Sequence, residues 1–262
     1  MDEDEDDSFP PKKSQNLQSK REAKSETRLQ PESTLQLQTN GRGQKPGKLK
    51  LEPHALWYEI EHPSAAPPAS PNTETITHLH ARGKYLLQAE AENYVSSNHL
   101  SSSDRQFLST IMSSGTQSDK LSALTLSVSS SPLHCQKQLD ALMNMARKKS
   151  RNDAVQAIAA LKDLLIGNLL PNRKLVYFGK QISLSSKSTD EELILWTFED
   201  WLKGWYFQVL QAIEGLSTDS LPFVRNHMIS YIFELLRDKP EQEQLLLRLL
   251  VNKLVYPYRK CG

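Results

Sequence analysis

Seven histidines and two cysteines are the residues of this chain best suited to metal or nucleophile chemistry, and their spacing argues against both. His54, His62, His78, His80, His99, His134 and His227 are scattered along the sequence. His78 and His80 stand two apart, which on a helix turns them to different sides, so they make poor joint ligands. His134 precedes Cys135, but no second ligand pair accompanies them. A capping or surface role is the better expectation for these imidazoles. Gly41, Gly43, Gly47 and Lys48 have the composition of a phosphate loop. Their spacing is wrong for one, Leu49 stands where a Ser or Thr would meet magnesium, and no strand precedes them; a flexible tail is expected there. Neither a Gly-x-Ser-x-Gly nor a His-Glu-x-x-His motif occurs. The sequence points away from catalysis, and no metal or cofactor is expected.

Charge and aromatic residues are the other chemistry on offer. Between Arg147 and Lys187 nine Lys and Arg accompany two acids, and between Asp190 and Glu243 eleven acids accompany four Lys and Arg. The candidate contact set is Arg147, Lys148, Lys149, Arg151, Arg173 and Lys174. In the plain reading these are solvated faces, with Arg147 to Arg151 partly complementing a helix C-terminus. In the functional reading they are a basic ridge for RNA phosphates beside an acidic surface for a basic protein partner. The net charge of +1 and pI near 7.8 give no overall electrostatic footprint. Trp57 and Tyr58, inside Leu56 to Ile60, are either a chance pair in a tail or an anchor that docks on the folded part or on a partner. Trp196, Trp201, Trp205, Tyr206 and Phe207 have the spacing of a core helix, with one or two rings left to face a partner. Lys12-Lys13 and Lys20-Arg21 loosely resemble a bipartite nuclear import signal.

The elements that must position these groups are helices. Hydrophobic residues are only 38% of the chain, so part of it is expected to lack a core. Residues 1–76 read as a disordered low-complexity tail: Leu17, Leu29 and Leu49 lie singly among polar residues, and Pro63 to Pro71 holds four prolines. From about Thr77 the pattern is helical to Leu254. Leu79, Leu86, Leu87 and Tyr94 predict a long helix. Ser103 with Gln106 predicts a capped short helix through Phe107, Leu108 and Ile111, ended by Gly115. Ser118 is expected to cap the next, through Leu121, Leu124 and Val128. Pro132 opens one carrying Leu139, Leu142 and Met145. Ser150 caps the clearest, with Val155, Ile158, Leu161, Leu165 and Leu169 at steps of three and four before Pro171. Thr189, followed by Asp190, Glu191 and Glu192, starts a helix with Ile194, Phe198, Trp201, Trp205, Val209 and Ile213 on one face. Leu221 to Leu235 and Pro240 to Leu250 supply two more. Leu175 to Phe178 is the single strand candidate. The expected fold class is all-α, a HEAT- or armadillo-like helical repeat in preference to an irregular bundle.

Membrane and secretory roles find no support. No apolar run approaches the roughly 18 residues of a membrane span. Met1 is followed by six acids, unlike a secretory leader. Cys135 and Cys261 are too few for a disulfide framework, so a soluble intracellular protein is expected.

Several ordered segments resemble the CCAAT-binding-factor family of nucleolar complex proteins. They are Trp57 to Glu61, STIMSSGTQSDKLSALTLSVSSSPLH (Ser109 to His134), LKDLLIGNLLPNRKLVYF (Leu161 to Phe178), ELILWTFEDWLK (Glu192 to Lys203) and KPEQEQLLLRLLVNKL (Lys239 to Leu254). The resemblance implies a HEAT-like α-solenoid acting in early precursors of the large (60S) ribosomal subunit in the nucleolus. It also implies another nucleolar complex protein as partner, with pre-rRNA nearby. Animal members are also described as transcriptional activators at CCAAT boxes, which supplies DNA as an alternative partner. No catalytic residues come with the family. Residues 255–262 do not resemble it, and the expectation is a chain cut short of further repeats, with an apolar face left to cover.

Overall fold

The computed structural model describes residues 48–60, 71–96 and 102–255. Among them there are eight α-helices and no strand. The fold class is all-α, as the periodicity predicts. The readings for residues 1–47 and 256–262, the import-like pattern, the Gly41 to Gly47 loop, His62, His99 and the proline run at 63–70 lie outside the described residues.

Local chemistry explains most of the helix boundaries. α1 (Thr73–Ser96) begins four residues earlier than Thr77, because the Asn72 side chain accepts from the Thr75 N–H at 2.8 Å. α2 (Ser102–Ser114) starts at Ser102, so Ser103 lies in its first turn and does not cap it. α3 (Gln117–Ser130) is capped by Thr116, not Ser118: Thr116 Oγ1 accepts from the Asp119 N–H, and the Asp119 carboxylate accepts from the Thr116 N–H at 3.0 Å. A single 3-10 turn, Pro132–His134, leads into α4 (Gln136–Ala146). α5 (Arg151–Leu164) has Ser150 as its cap and widens into a π turn at Leu165–Leu169 before Pro171. α6 (Asp190–Leu216) opens on a capping box between Thr189 and Glu192. α7 (Pro222–Asp238) has proline at its first position, where the missing N–H costs no bond. α8 (Glu243–Val255) begins after Pro240 and Glu241, at a turn where Gln242 takes φ 58°.

Most helices pack on neighbours in sequence: α2 on α3, α3 on α4, α4 on α5, α6 on α7 and α7 on α8. This succession is that of a solenoid-like array. The most extensive helix pair, however, is α1 with α6, distant in the chain. Glycine makes that approach possible. A Cβ at Gly83 would lie 2.1 Å from Thr197 Oγ1 and 3.0 Å from the Leu193 carbonyl, so only a bare Cα lets the two backbones come this close. The main core runs from Trp57 through α3, α4 and α5 to the buried sides of α6, α7 and α8. A smaller cluster joins Leu79 of α1, Phe178, Leu184, and Leu193 and Trp196 of α6. Both faces of the first half of α6 are therefore buried, which its apolar run 193–198 requires.

Two structured segments lie outside the α-helices. Residues 48–60, expected to belong to the tail, are part of the core: Leu49, Leu51 and Trp57 are buried. In the strand candidate Leu175 to Phe178, Leu175 to Tyr177 lead without helical structure into a 3-10 turn that begins at Phe178, and they pair with no strand among the described residues. The N–H groups of this segment are met by side chains, as described below.

Candidate functional site

The Trp57–Tyr58 pair forms a 3-10 turn, and Trp57 is 2% exposed. Its indole N–H donates to the Leu169 carbonyl at 2.9 Å, one of the carbonyls that the π turn releases. Its ring meets Phe198 of α6 edge-on at 5.2 Å and Tyr58 at 5.7 Å. Of the two docking readings, the structure has Trp57 anchored on its own fold. A surface partner would find Tyr58, which is half-buried, but not Trp57.

The six candidate basic residues do not form one ridge. Arg147, Lys148, Lys149 and Arg151 lie at the N-terminal end of α5, and Arg173 and Lys174 beyond its C-terminal end. The intervening helix spans on the order of 30 Å. All six are exposed, but several are already engaged. Arg151 pairs with Asp219 at 2.6 Å, Arg173 with Glu199, and Lys174 with Glu243 at 3.7 Å. Arg147 donates to the Gln208 side chain at 3.3 Å. Lys162 of the same basic stretch pairs with Glu234 of α7 at 2.6 Å. The two oppositely charged stretches of sequence therefore meet each other across packed elements, largely at the surface. Packing α5 on α7, and residues 171–184 on α6, brings them together.

Buried carboxylates that sequence reading missed carry much of this architecture. Glu90 of α1, 1% exposed, accepts the backbone N–H groups of Lys50 and Leu51, both at 2.8 Å, and so fixes the N-terminal segment. Glu199 of α6 takes the Val176 N–H at 3.0 Å, the Gln181 amide at 2.9 Å and the Arg173 guanidinium. Glu241 takes the Leu175 N–H at 2.6 Å and the Lys203 ammonium at 2.7 Å, while Lys203 also donates to the Leu175 carbonyl. Asp200 takes the Phe178 N–H at 3.0 Å. Backbone with no strand partner is thus held by two acids of α6, by Glu241 in the turn before α8 and by one lysine, which removes the cost of burying unpaired N–H groups. A signal existed for Glu90: it occupies an apolar stripe position, in series with Leu79, Gly83, Leu87 and Tyr94.

The remaining polar core is structural. His134 is buried, its Nδ1 2.7 Å from Ser131 Oγ and its ring stacked on Tyr94 at 4.7 Å. Burial alone pushes the Cys135 thiol up to about 12, so it is a poor nucleophile at neutral pH. Burial likewise holds the Lys239 ammonium below its usual value, where it donates to the Leu170 carbonyl at 2.6 Å. Among the described residues, no three His, Cys, Asp or Glu side chains gather as they would around a metal ion, and no helix is long and apolar enough to cross a membrane. Of the five aromatics around Trp201, Trp196, Trp205 and Tyr206 are buried, Phe207 is exposed and Trp201 is half-buried.

Among the described residues the fold is all-helical, and several charged groups brace its own segments. No protein-family profile matches the sequence, but full-length relatives do. Ribosome biogenesis protein NOC1 of Chaetomium thermophilum is 39% identical over 249 residues, covering 86% of this chain and 24% of its own length. Human CCAAT/enhancer-binding protein zeta is 32% identical over 225 residues, covering 82% and 21%. Nucleolar complex protein 1 of Drosophila melanogaster is 31% identical over 231 residues, covering 80% and 19%. The chain belongs to this CCAAT-binding-factor family of nucleolar complex proteins. It spans about a fifth to a quarter of the length of these relatives.

Proposed function

We propose that this chain is a non-catalytic helical scaffold for ribosome biogenesis, working in the nucleolus on precursors of the large subunit. The observation that carries this reading is homology over about four fifths of the chain to proteins named for ribosome biogenesis and for a nucleolar complex. The partners it implies are another nucleolar complex protein and pre-rRNA. The exposed Lys148 and Lys149, beside Arg147 and Arg151 at the α4–α5 connection, are the part of the basic set best placed to meet phosphates. Arg173 and Lys174 contribute less, because Glu199 and Glu243 already face them.

The test is co-sedimentation. A tagged chain expressed in cells is expected to migrate with precursor large-subunit particles and to recover pre-rRNA after crosslinking. Migration only with the free protein pool would overturn the proposal. The name of the human relative supports a second reading, a regulator that binds CCAAT-box DNA. Duplex binding that survives scrambled competitor but not unlabelled CCAAT duplex would favour that reading instead.

A further inference from the structure

A cleft of about 410 Å³ opens between α1 and α6, bounded by the start of α4. Its volume is in the range of small-ligand sites, ~300–1,000 Å³. Trp201 forms part of its wall, with ring centroids 5.7 Å from both Phe198 and Trp205 and planes tilted by 27° and 25°. Three carboxamides, Gln88, Gln136 and Gln208, line it, together with Lys84 and Gly204. The Gln136 amide nitrogen is buried and finds no acceptor within the protein. Arg147 reaches the rim through its hydrogen bond to Gln208.

Gly204 is the informative member. It sits mid-helix in α6, where glycine costs roughly 1 kcal/mol relative to alanine. Packing does not require it: a Cβ there would meet nothing within 4 Å, in contrast to Gly83. What the glycine does provide is open space in the same cleft wall as the tryptophan.

We propose that this cleft binds one unpaired nucleotide, the base against Trp201 and the phosphate at Lys84 and Arg147. Aromatic faces stack any base, and carboxamides can both donate to and accept from a base edge. Charge favours a nucleotide over a basic peptide side chain. The one acid in the lining, Asp200, already accepts the Phe178 N–H through one oxygen, and its other oxygen faces the His80 ring at 3.5 Å. The rim cations are the charges left to meet a ligand. The inference rests on the RNA-contact reading above but assigns it a separate place, away from Lys148 and Lys149.

The experiment is titration of the intact chain with single-stranded RNA 12-mers and with mononucleotides, read by tryptophan emission. Trp57, Trp196 and Trp205 are buried, so Trp201 is the indole that a ligand can reach. Saturable quenching is expected, with affinity falling at least tenfold in Gly204→Leu; in Trp201→Leu, which removes the reporter, the same loss is read by fluorescence anisotropy of a labelled 12-mer. The first side-chain carbon at position 204 meets nothing within 4 Å, so Gly204→Leu extends into the cleft, and an unchanged melting temperature in that variant separates blocking from unfolding. If 12-mers bind more tightly than mononucleotides, RNA is the source; if the two bind equally, the site takes free nucleotides. Binding unaffected by Gly204→Leu overturns the cleft. If that same binding is lost on replacing Lys148 and Lys149 by alanine, the scaffold reading stands without it.

Discussion

The indole nitrogen of Trp57 donates to the main-chain carbonyl of Leu169, 112 positions later in the sequence. This bond closes the end of the π turn after α5 and brings the segment before α1 into the same core as α6. A residue that composition places in a tail is therefore a structural anchor. Trp57→Ala should destabilise the fold by about 3–5 kcal/mol, the range for emptying a large aromatic site. Trp57→Phe keeps the packing against Phe198 but leaves the Leu169 carbonyl unpaired, at a cost of about 1–3 kcal/mol. Chemical denaturation of the two variants checks the order.

The contact of Gly83 with Thr197 makes a sharper case, because propensity and packing predict opposite signs. Alanine at position 83 should favour α1 by about 1 kcal/mol as an isolated helix. In the fold its Cβ would lie 2.1 Å from Thr197 Oγ1, so α1 must move off α6 and stability should fall by ~1–3 kcal/mol. Thr197→Ala removes the hydroxyl from that contact. In Gly83→Ala/Thr197→Ala the loss should be less than the sum of the single losses, a coupling readable in a double-mutant cycle.

Glu241 joins the turn between α7 and α8 to the segment at Leu175 through the Leu175 N–H and to α6 through Lys203. Glu241→Ala leaves the buried Leu175 N–H without its acceptor and the part-buried Lys203 ammonium with only the Leu175 carbonyl, at a cost of ~1–3 kcal/mol. The Leu175 amide should lose its protection against hydrogen exchange, while amides in α3 and α4 keep theirs. Equal loss of protection everywhere would mean that Glu241 acts on global stability alone.

Asp190 gives the acid limb. The Lys50 ammonium, hydrogen-bonded to it at 2.7 Å, and Arg82 at 2.5 Å hold its carboxyl below the usual aspartate range. A depressed folded value means the stabilisation is fully present above the unfolded pKa, near 3.9, and is lost as pH falls through the folded value. Wild-type stability should therefore decline below about pH 4. Asp190→Asn should be less stable at pH 7 and show a shallower acid decline, measured by urea midpoints from pH 2 to 7.

The helix cap at Thr189 was evident from residue types alone, and its worth can be measured. Thr189 Oγ1 accepts from the Glu192 N–H at 3.3 Å and Glu192 returns the bond at 2.9 Å. Thr189→Ala should cost ~1 kcal/mol, and Thr189→Ser close to nothing. A urea midpoint series of the three chains decides it.

The sequence by itself determined what is local. Apolar periodicity and cap residues placed Ser150 and Thr189 at helix starts, predicted the α5 stripe from Val155 to Leu169, and set the all-α class, because these depend on residues within a turn or two of one another. Tertiary structure alone decided how distant groups were used. Leu175 to Phe178 has the residue types of a strand, yet its N–H groups are taken by Glu199 and Asp200 of α6 and by Glu241 in the turn before α8, all far along the chain. The basic stretch and the acidic stretch read as two surfaces; the fold makes much of them each other's counterions, through Lys162 with Glu234 and Arg173 with Glu199. Trp57 became core, and Trp201 was left half-open beside a glycine, for the same reason. Which side of a residue is covered depends on the crossing of α1, α5 and α6, and no spacing along one helix encodes what lies across from it.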